Sequence, residues 1–248
     1  MYREKKDQVL ITPPESLDIQ KEVLEVILSH LKQFYPDLYS INNHCVEVFK
    51  NDEVLDFSDF QNPIELASLL VQEDLIIMKP DQDIFYLEAA SLCAPTRWSL
   101  KEKFRQSLSA IHKEVPGYQE KIDSRVSNIF KNLPSKKIFE RFNWSIFDSP
   151  ELFQPISNKS RVEITNIDPE KLFLRVERQT IRRLENSQCI LFMVRVHVDH
   201  ISAILNSQRA ILDLVKALEN LEDDMKVYKV IKPFEENLLN WLKSKTSQ

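Results

Sequence analysis

Apolar positions along the first third of the chain recur at helical spacing. Within residues 19–34, Val23, Val26, Ile27 and Leu31 fall at steps of three and four, behind a cap at Ser16 or Asp18 and ahead of Pro36. After a polar connector, residues 63–70 read as a short helix with proline in its first turn. The period then shortens to that of strands. Residues 74–78 and 84–90 are expected to pair as an antiparallel hairpin with a long loop over 79–83. Ser99, with Glu102 three residues on, opens a helix expected to run to about His112. A turn at Pro116-Gly117 leads to a second helix over 118–133, with Ile122, Val126, Ile129 and Phe130 on one face and Pro134 at its end. Strands are expected at 137–146, 172–181 and 189–198, the last two joined by a hairpin loop and forming the sheet centre, with a polar loop over 148–168. Helices over 201–221 and 230–243 complete the pattern. The resulting expectation is one α+β domain over residues 1–248, an antiparallel sheet with packed helices and further helices at both ends.

Composition narrows the chemistry. Gly117 is the only glycine in 248 residues, where average usage gives roughly 17. Neither a dinucleotide fingerprint nor a phosphate-cradling Walker loop can be drawn without glycines that let backbone approach a phosphate. The formal charge of -5 and isoelectric point near 5.7 argue against a nucleic-acid binder. No apolar run approaches the roughly 18 residues that a membrane helix needs, and the first residues lack a signal peptide's apolar core. A cytoplasmic location is the expectation. Cys45, Cys93 and Cys189 match neither a disulfide framework nor a zinc site. Cys93 and Cys189 lie in apolar runs and read as small core residues, with a thiolate haem ligand the minority alternative for Cys93.

The most unusual constellation is Arg175-Val176-Glu177-Arg178-Gln179. Strand alternation puts Arg175, Glu177 and Gln179 on one face and Arg178 on the other. Such charge on a strand is costly unless the groups pair or face a polar cavity. Two readings stand: a solvated ladder on an edge strand, or the wall of a polar pocket. Arg141 and Asn143 share a face in the same way, with Phe142 and Trp144 opposite. His112 sits among Phe104, Leu108 and Ile111, a setting that suits a hydrogen-bonded core histidine as well as a ligand.

Several blocks together resemble the haem-dependent oxidative N-demethylase family, alpha subunit-like, whose fold is a haem-binding PAS module. They are residues 71–75 (VQEDL), 93–98 (CAPTRW), Ile111-His112 with 115–118 (VPGY), 141–144 (RFNW) and 174–180 (LRVERQT) followed by Arg182-Arg183-Leu184, in family order over roughly residues 70–200. The resemblance implies a PAS-like sheet, haem iron as the metal, and oxidation of a small secondary or methylated amine by dioxygen with release of formaldehyde. It implies electrons from a separate flavin and iron–sulfur reductase. By motif position His112 is the implied haem ligand, with Tyr118, Arg141 and Arg178 beside the cofactor. Glu177 and Arg175 are the implied catalytic pair, the carboxylate holding the amine. The alternative is a haem-binding PAS-type sensor or carrier without turnover. Where the family commonly has glycine and proline before the histidine and after the Arg-Arg-Leu segment, this chain has Phe104, Arg105 and Glu185.

Overall fold

The computed structural model describes residues 2–156 and 167–246. Residues 157–166 of the loop expected over 148–168 therefore lie outside the described residues. The described chain builds a six-stranded antiparallel sheet in the order β1-β6-β5-β9-β8-β7, with β1 at Leu10–Ile11, β5 at Asp74–Asp81, β6 at Ile84–Ser91, β7 at Ile138–Phe147, β8 at Phe173–Arg183 and β9 at Ile190–His200. A second, three-stranded sheet of β2 (Tyr39–Ile41), β3 (Cys45–Val48) and β4 (Glu53–Asp56) stands in the stretch that reads as a polar connector. These strands are too short for their alternation to register in sequence. The PAS-like α+β expectation is met.

Register decides which side chains share a face. On the inner face lie Asp74, Ile76 and Met78 of β5, Ile190, Phe192 and Val194 of β9, Arg175, Glu177 and Gln179 of β8, and Arg141 and Asn143 of β7. Three helices cover this face: α4 (Leu100–Lys103), α5 (Leu108–Ile111) and α6 (Asp123–Asn132). Leu100, Leu108, Phe130 and Leu133 pack there against Ile76, Met78, Phe85, Leu87 and Ile190. Helices of four residues do not persist alone. Burial of such side chains, each worth roughly 1.5–3 kcal/mol, holds them in place. The outer face is covered twice: α2 (Leu17–Phe34) and α3 (Pro63–Leu70) pack on Leu75, Ile77 and Leu191. At the other end α7 (Gln208–Glu219) and α9 (Glu235–Lys245) pack on Ile146 and Leu172.

Four expectations are corrected. The hairpin of β5 and β6 has a two-residue turn, Gln82-Asp83, because Asp81 pairs with Ile84, and Gln82 takes a φ of 53°. The helix expected over 99–112 is two short ones. Arg105, at φ 59°, turns the chain so that its N–H reaches Leu87 O at 3.0 Å, while Leu87 N–H reaches Gln106 O at 3.1 Å. Beyond the short β1, the edge of β6 thus finds backbone partners, which a continuous helix could not offer. The helix expected over 201–221 divides at Ser207, whose hydroxyl caps α7 through Ala210 N–H at 3.3 Å. Last, the sheet centre is β5 and β9, with β8 displaced outward because β7 pairs along its full length.

Candidate functional site

His112 closes α5, which Ser107 caps through Ala110 N–H at 3.2 Å. Val115 to Tyr118 then forms a tight turn, with Tyr118 N–H on Val115 O at 3.1 Å and Gly117 at φ 65°, ψ 10°. Those angles suit the third residue of a type II turn, where only glycine is unstrained. The turn folds the Tyr118 ring back onto the imidazole, centroids 4.8 Å apart and planes within 10°. His112 Nδ1 lies 2.9 Å from Leu108 O. A carbonyl only accepts, so Nδ1 carries the proton and Nε2 the lone pair. Burial pushes this histidine below its usual pKa, and nearby Arg141 and Lys103 act in the same direction. The group is a fixed, neutral imidazole.

Next to it, Tyr118 Oη and Asp123 Oδ1 are buried with no hydrogen-bond partner among the described residues. Burial, reinforced by Asp123, pushes the Tyr118 hydroxyl up to about 12. The phenol stays protonated, a donor with nothing among the described residues to donate to.

The charged strand is a buried wall. Arg175, Glu177 and Gln179 are 1%, 8% and 5% exposed, which removes the solvated-ladder reading. Glu177 accepts from Thr96 Oγ1 at 2.5 Å, from Gln179 Nε2 at 2.8 Å and from Asn143 Nδ2 at 3.4 Å. Gln179 Oε1 in turn accepts from Arg141 Nε at 2.6 Å. Arg141 is exposed at the β7 edge, near enough to His112 for its charge to help lower the imidazole pKa. Arg175 is directed elsewhere: it donates to Ala94 O at 2.7 Å, Leu152 O at 3.3 Å and Glu151 O at 3.4 Å, and sits beside the Phe147 ring. Arg178 projects from the opposite face and pairs with Glu140, apart from the other five candidates.

Asp74 supports this wall from β5. It is 3% exposed and accepts from Cys93 N at 2.6 Å and Ala94 N at 3.1 Å. Burial raises its pKa to about 7, against the pull of those two donors and of Arg175. Burial and Asp74 push the Cys93 thiol up to about 11. Cys45, Cys93 and Cys189 are all free.

Sequence reasoning missed Thr96, Asp74, Asp123 and Lys229. Thr96 and Asp74 lie inside the family-like blocks, so only their direction was hidden. Asp123 opens α6, where an acidic residue ordinarily reads as a helix start. Lys229 follows the helix at Asp223–Tyr228, 86 residues from the Asn143 it meets, and no local pattern marks it.

The chemistry of these donors fits a haem with a single protein ligand. A neutral imidazole offers Nε2, its other nitrogen is fixed by a backbone carbonyl as metal-bound histidines require, and an orphaned hydroxyl stands beside it. Among the described residues no group of three or more His, Cys, Asp or Glu is placed to hold a bare metal ion, and no helix is long and apolar enough to cross a membrane. A concavity of about 250 Å³ opens beside the His112 segment, lined by Arg97, Trp98, Glu102, Lys103, Gln106, Lys113 and Glu114. Compared with known protein families, residues 1–239 match the one described as haem-dependent oxidative N-demethylase, alpha subunit-like, and the chain belongs to that family.

Proposed function

We propose that this protein is a haem-dependent oxidoreductase that removes a methyl group from a small secondary or methylated amine. The observation that supports it most is a half-buried neutral His112, its lone pair on Nε2, on the same face of the sheet as the buried Glu177 carboxylate held by Thr96 and Gln179. In this reading His112 holds the haem, with Tyr118 and Arg141 beside it. When bound, the haem supplies dioxygen activation for oxidation of a methyl group on nitrogen, with electrons from a separate flavin and iron–sulfur reductase. The chain's own contribution is positioning. Leu108 O fixes the imidazole plane, and Tyr118 stacks on it and keeps water from that side. Arg141 offers a guanidinium to an anionic group, such as a carboxylate. Glu177, held by three donors, keeps a charge where an ammonium group can be bound or can shed a proton.

A second reading, a haem sensor or carrier without turnover, is favoured by one observation: both Glu177 oxygens already accept hydrogen bonds inside the protein. One experiment separates the two. Protein expressed with haem supply is expected to show a Soret band, a ferric spectrum that a short alkylamine perturbs, and formaldehyde when given a reductant, oxygen and amine. Glu177→Gln is expected to weaken amine binding about tenfold to a hundredfold, the worth of a charge-assisted contact. A Soret band without amine response or formaldehyde selects the sensor. No Soret band refutes both.

A further inference from the structure

One element of the polar wall around Glu177, called the chamber below, comes from outside the sheet. Past α8 (Asp223–Tyr228), the chain carries Lys229 to the outer edge of β7. Its Nζ donates to Trp144 O at 2.5 Å and to Asn143 Oδ1 at 3.2 Å, and lies 5.2 Å from the centroid of the Trp144 ring. The same Asn143 amide donates from Nδ2 to Glu177 at 3.4 Å. One side chain therefore links the lysine's ammonium to the buried carboxylate of the chamber.

A carbonyl, an amide oxygen, the face of an indole and a carboxylate behind them are the groups that recognise a small ammonium ion. They are more than an edge carbonyl needs, since water satisfies an exposed carbonyl on an outer strand. Seating the lysine also has a cost. Burial pushes its pKa below the usual lysine range, with Glu177 opposing. The next residue, Val230, is held at φ 56°, a conformation that β-branched residues avoid. Strain of this kind, in the residue that follows Lys229, favours release when another cation can take over.

We propose that this cradle is an ammonium-binding site at the β7 edge of the chamber, that Lys229 is its resident cation, and that a small alkylammonium ion takes the cradle when Lys229 leaves. Lys229 thereby sets which amines enter: a substrate must be small enough to fit between Trp144 and Asn143 and must bind well enough to displace a tethered competitor. The alkylamine as competitor rests on the function proposed above; the cradle and its cation do not.

The test needs no haem. Lys229→Ala and Lys229→Met, the second keeping the apolar stem should the first fold poorly, are titrated with dimethylammonium chloride. Sodium chloride at equal ionic strength is the control. The readouts are Tm and, in a Trp98→Phe, Trp241→Phe background, Trp144 fluorescence. Both variants are expected to gain about 2–4 °C at roughly tenfold excess over Kd, with saturable quenching of Trp144. Wild type should need at least about tenfold more amine, the size of a charge-assisted contact. Adding Asn143→Ala to Lys229→Met should abolish the response. Equal responses in wild type and variants, or responses no larger than with sodium chloride, overturn the proposal. Those outcomes accompanied by a Soret band and formaldehyde would leave the demethylase reading standing and place the amine elsewhere. A positive titration without a Soret band would do the reverse.

Discussion

The inner face of the sheet has two halves built on one backbone plan. Under α4–α6, the half formed by β5, β6 and β9 is apolar, with Ile76, Met78, Leu87 and Ile190 at 5% exposure or less. The half formed by β7 and β8 is just as buried at its centre but carries Arg175, Glu177 and Gln179. The apolar half needs only shape to be stable. The polar half needs partners for its buried groups, and the structure supplies them from four separate places, the 93–97 segment, β7, the loop at 151–152 and the segment after α8, leaving Arg175 Nε without one among the described residues. Burial without apolarity is expensive. That cost, met where Tyr118 and Asp123 also carry unsatisfied atoms, distinguishes a functional wall from a core.

The largest expected effect sets the two halves against each other. His112→Ala should abolish the haem spectrum while costing only about 1–2 kcal/mol of stability. Leu87→Ala should cost about 2–5 kcal/mol and keep the spectrum at temperatures where the protein is folded. Haem titration and urea unfolding of the two variants check this, and a retained spectrum in His112→Ala would break the comparison.

Within the polar half, Arg175→Met should destabilise by about 3–5 kcal/mol, the cost of breaking a buried charged network, because it strips donors from three carbonyls and leaves Asp74 and Glu177 without their cation. Denaturant midpoints measure it. A loss below about 1 kcal/mol would make this arginine a replaceable packing residue.

Asp74, at the end of β5 that faces Arg175 and Glu177, gives the polar side a pH signature that the apolar side chains cannot. Its folded pKa of about 7 lies above the ordinary 3.8, so the folded state holds the proton more tightly. The stabilisation is fully present below the ordinary value and is lost as pH rises through about 7. Asp74→Asn should flatten the decline in stability between pH 4 and pH 7.5, read from unfolding midpoints across that range. Parallel profiles for wild type and variant would remove Asp74 as its cause.

The smallest effects concern backbone. With one glycine in the sequence, Asp52, Gln82, Arg97, Arg105, Gln188 and Val230 take positive φ among the described residues. Val230→Gly should stabilise by about 1 kcal/mol, because the left-handed penalty exceeds the entropy glycine adds to the unfolded chain. Arg105→Gly should gain less, since Arg105 also pairs with Glu15. Thermal melts of both check the order.

Much of this was legible before folding was considered. The 3.6-residue period located α2 and α6, proline and glycine placed the turn after His112, and alternation put Arg175, Glu177 and Gln179 on one face with Arg141 and Asn143 on theirs. The break at Arg105 was not legible. Its cause is the unpaired edge of β6, which overrides a good capping box at Ser99. The small sheet of β2, β3 and β4 escaped because three- and four-residue strands carry too few alternations.

The sequence by itself determined which residues are chemically unusual and which face of each strand they occupy, because side-chain direction follows from local backbone geometry. Only the tertiary structure decided what those faces meet. It turned Arg175 toward the carbonyls of Ala94, Glu151 and Leu152, left Arg178 outside the chamber with Glu140, and brought Lys229 to Asn143 across 86 residues of chain. Partnering of buried polar groups is a long-range condition. It is met by whichever segments the hydrophobic cores bring together, and no local pattern encodes it.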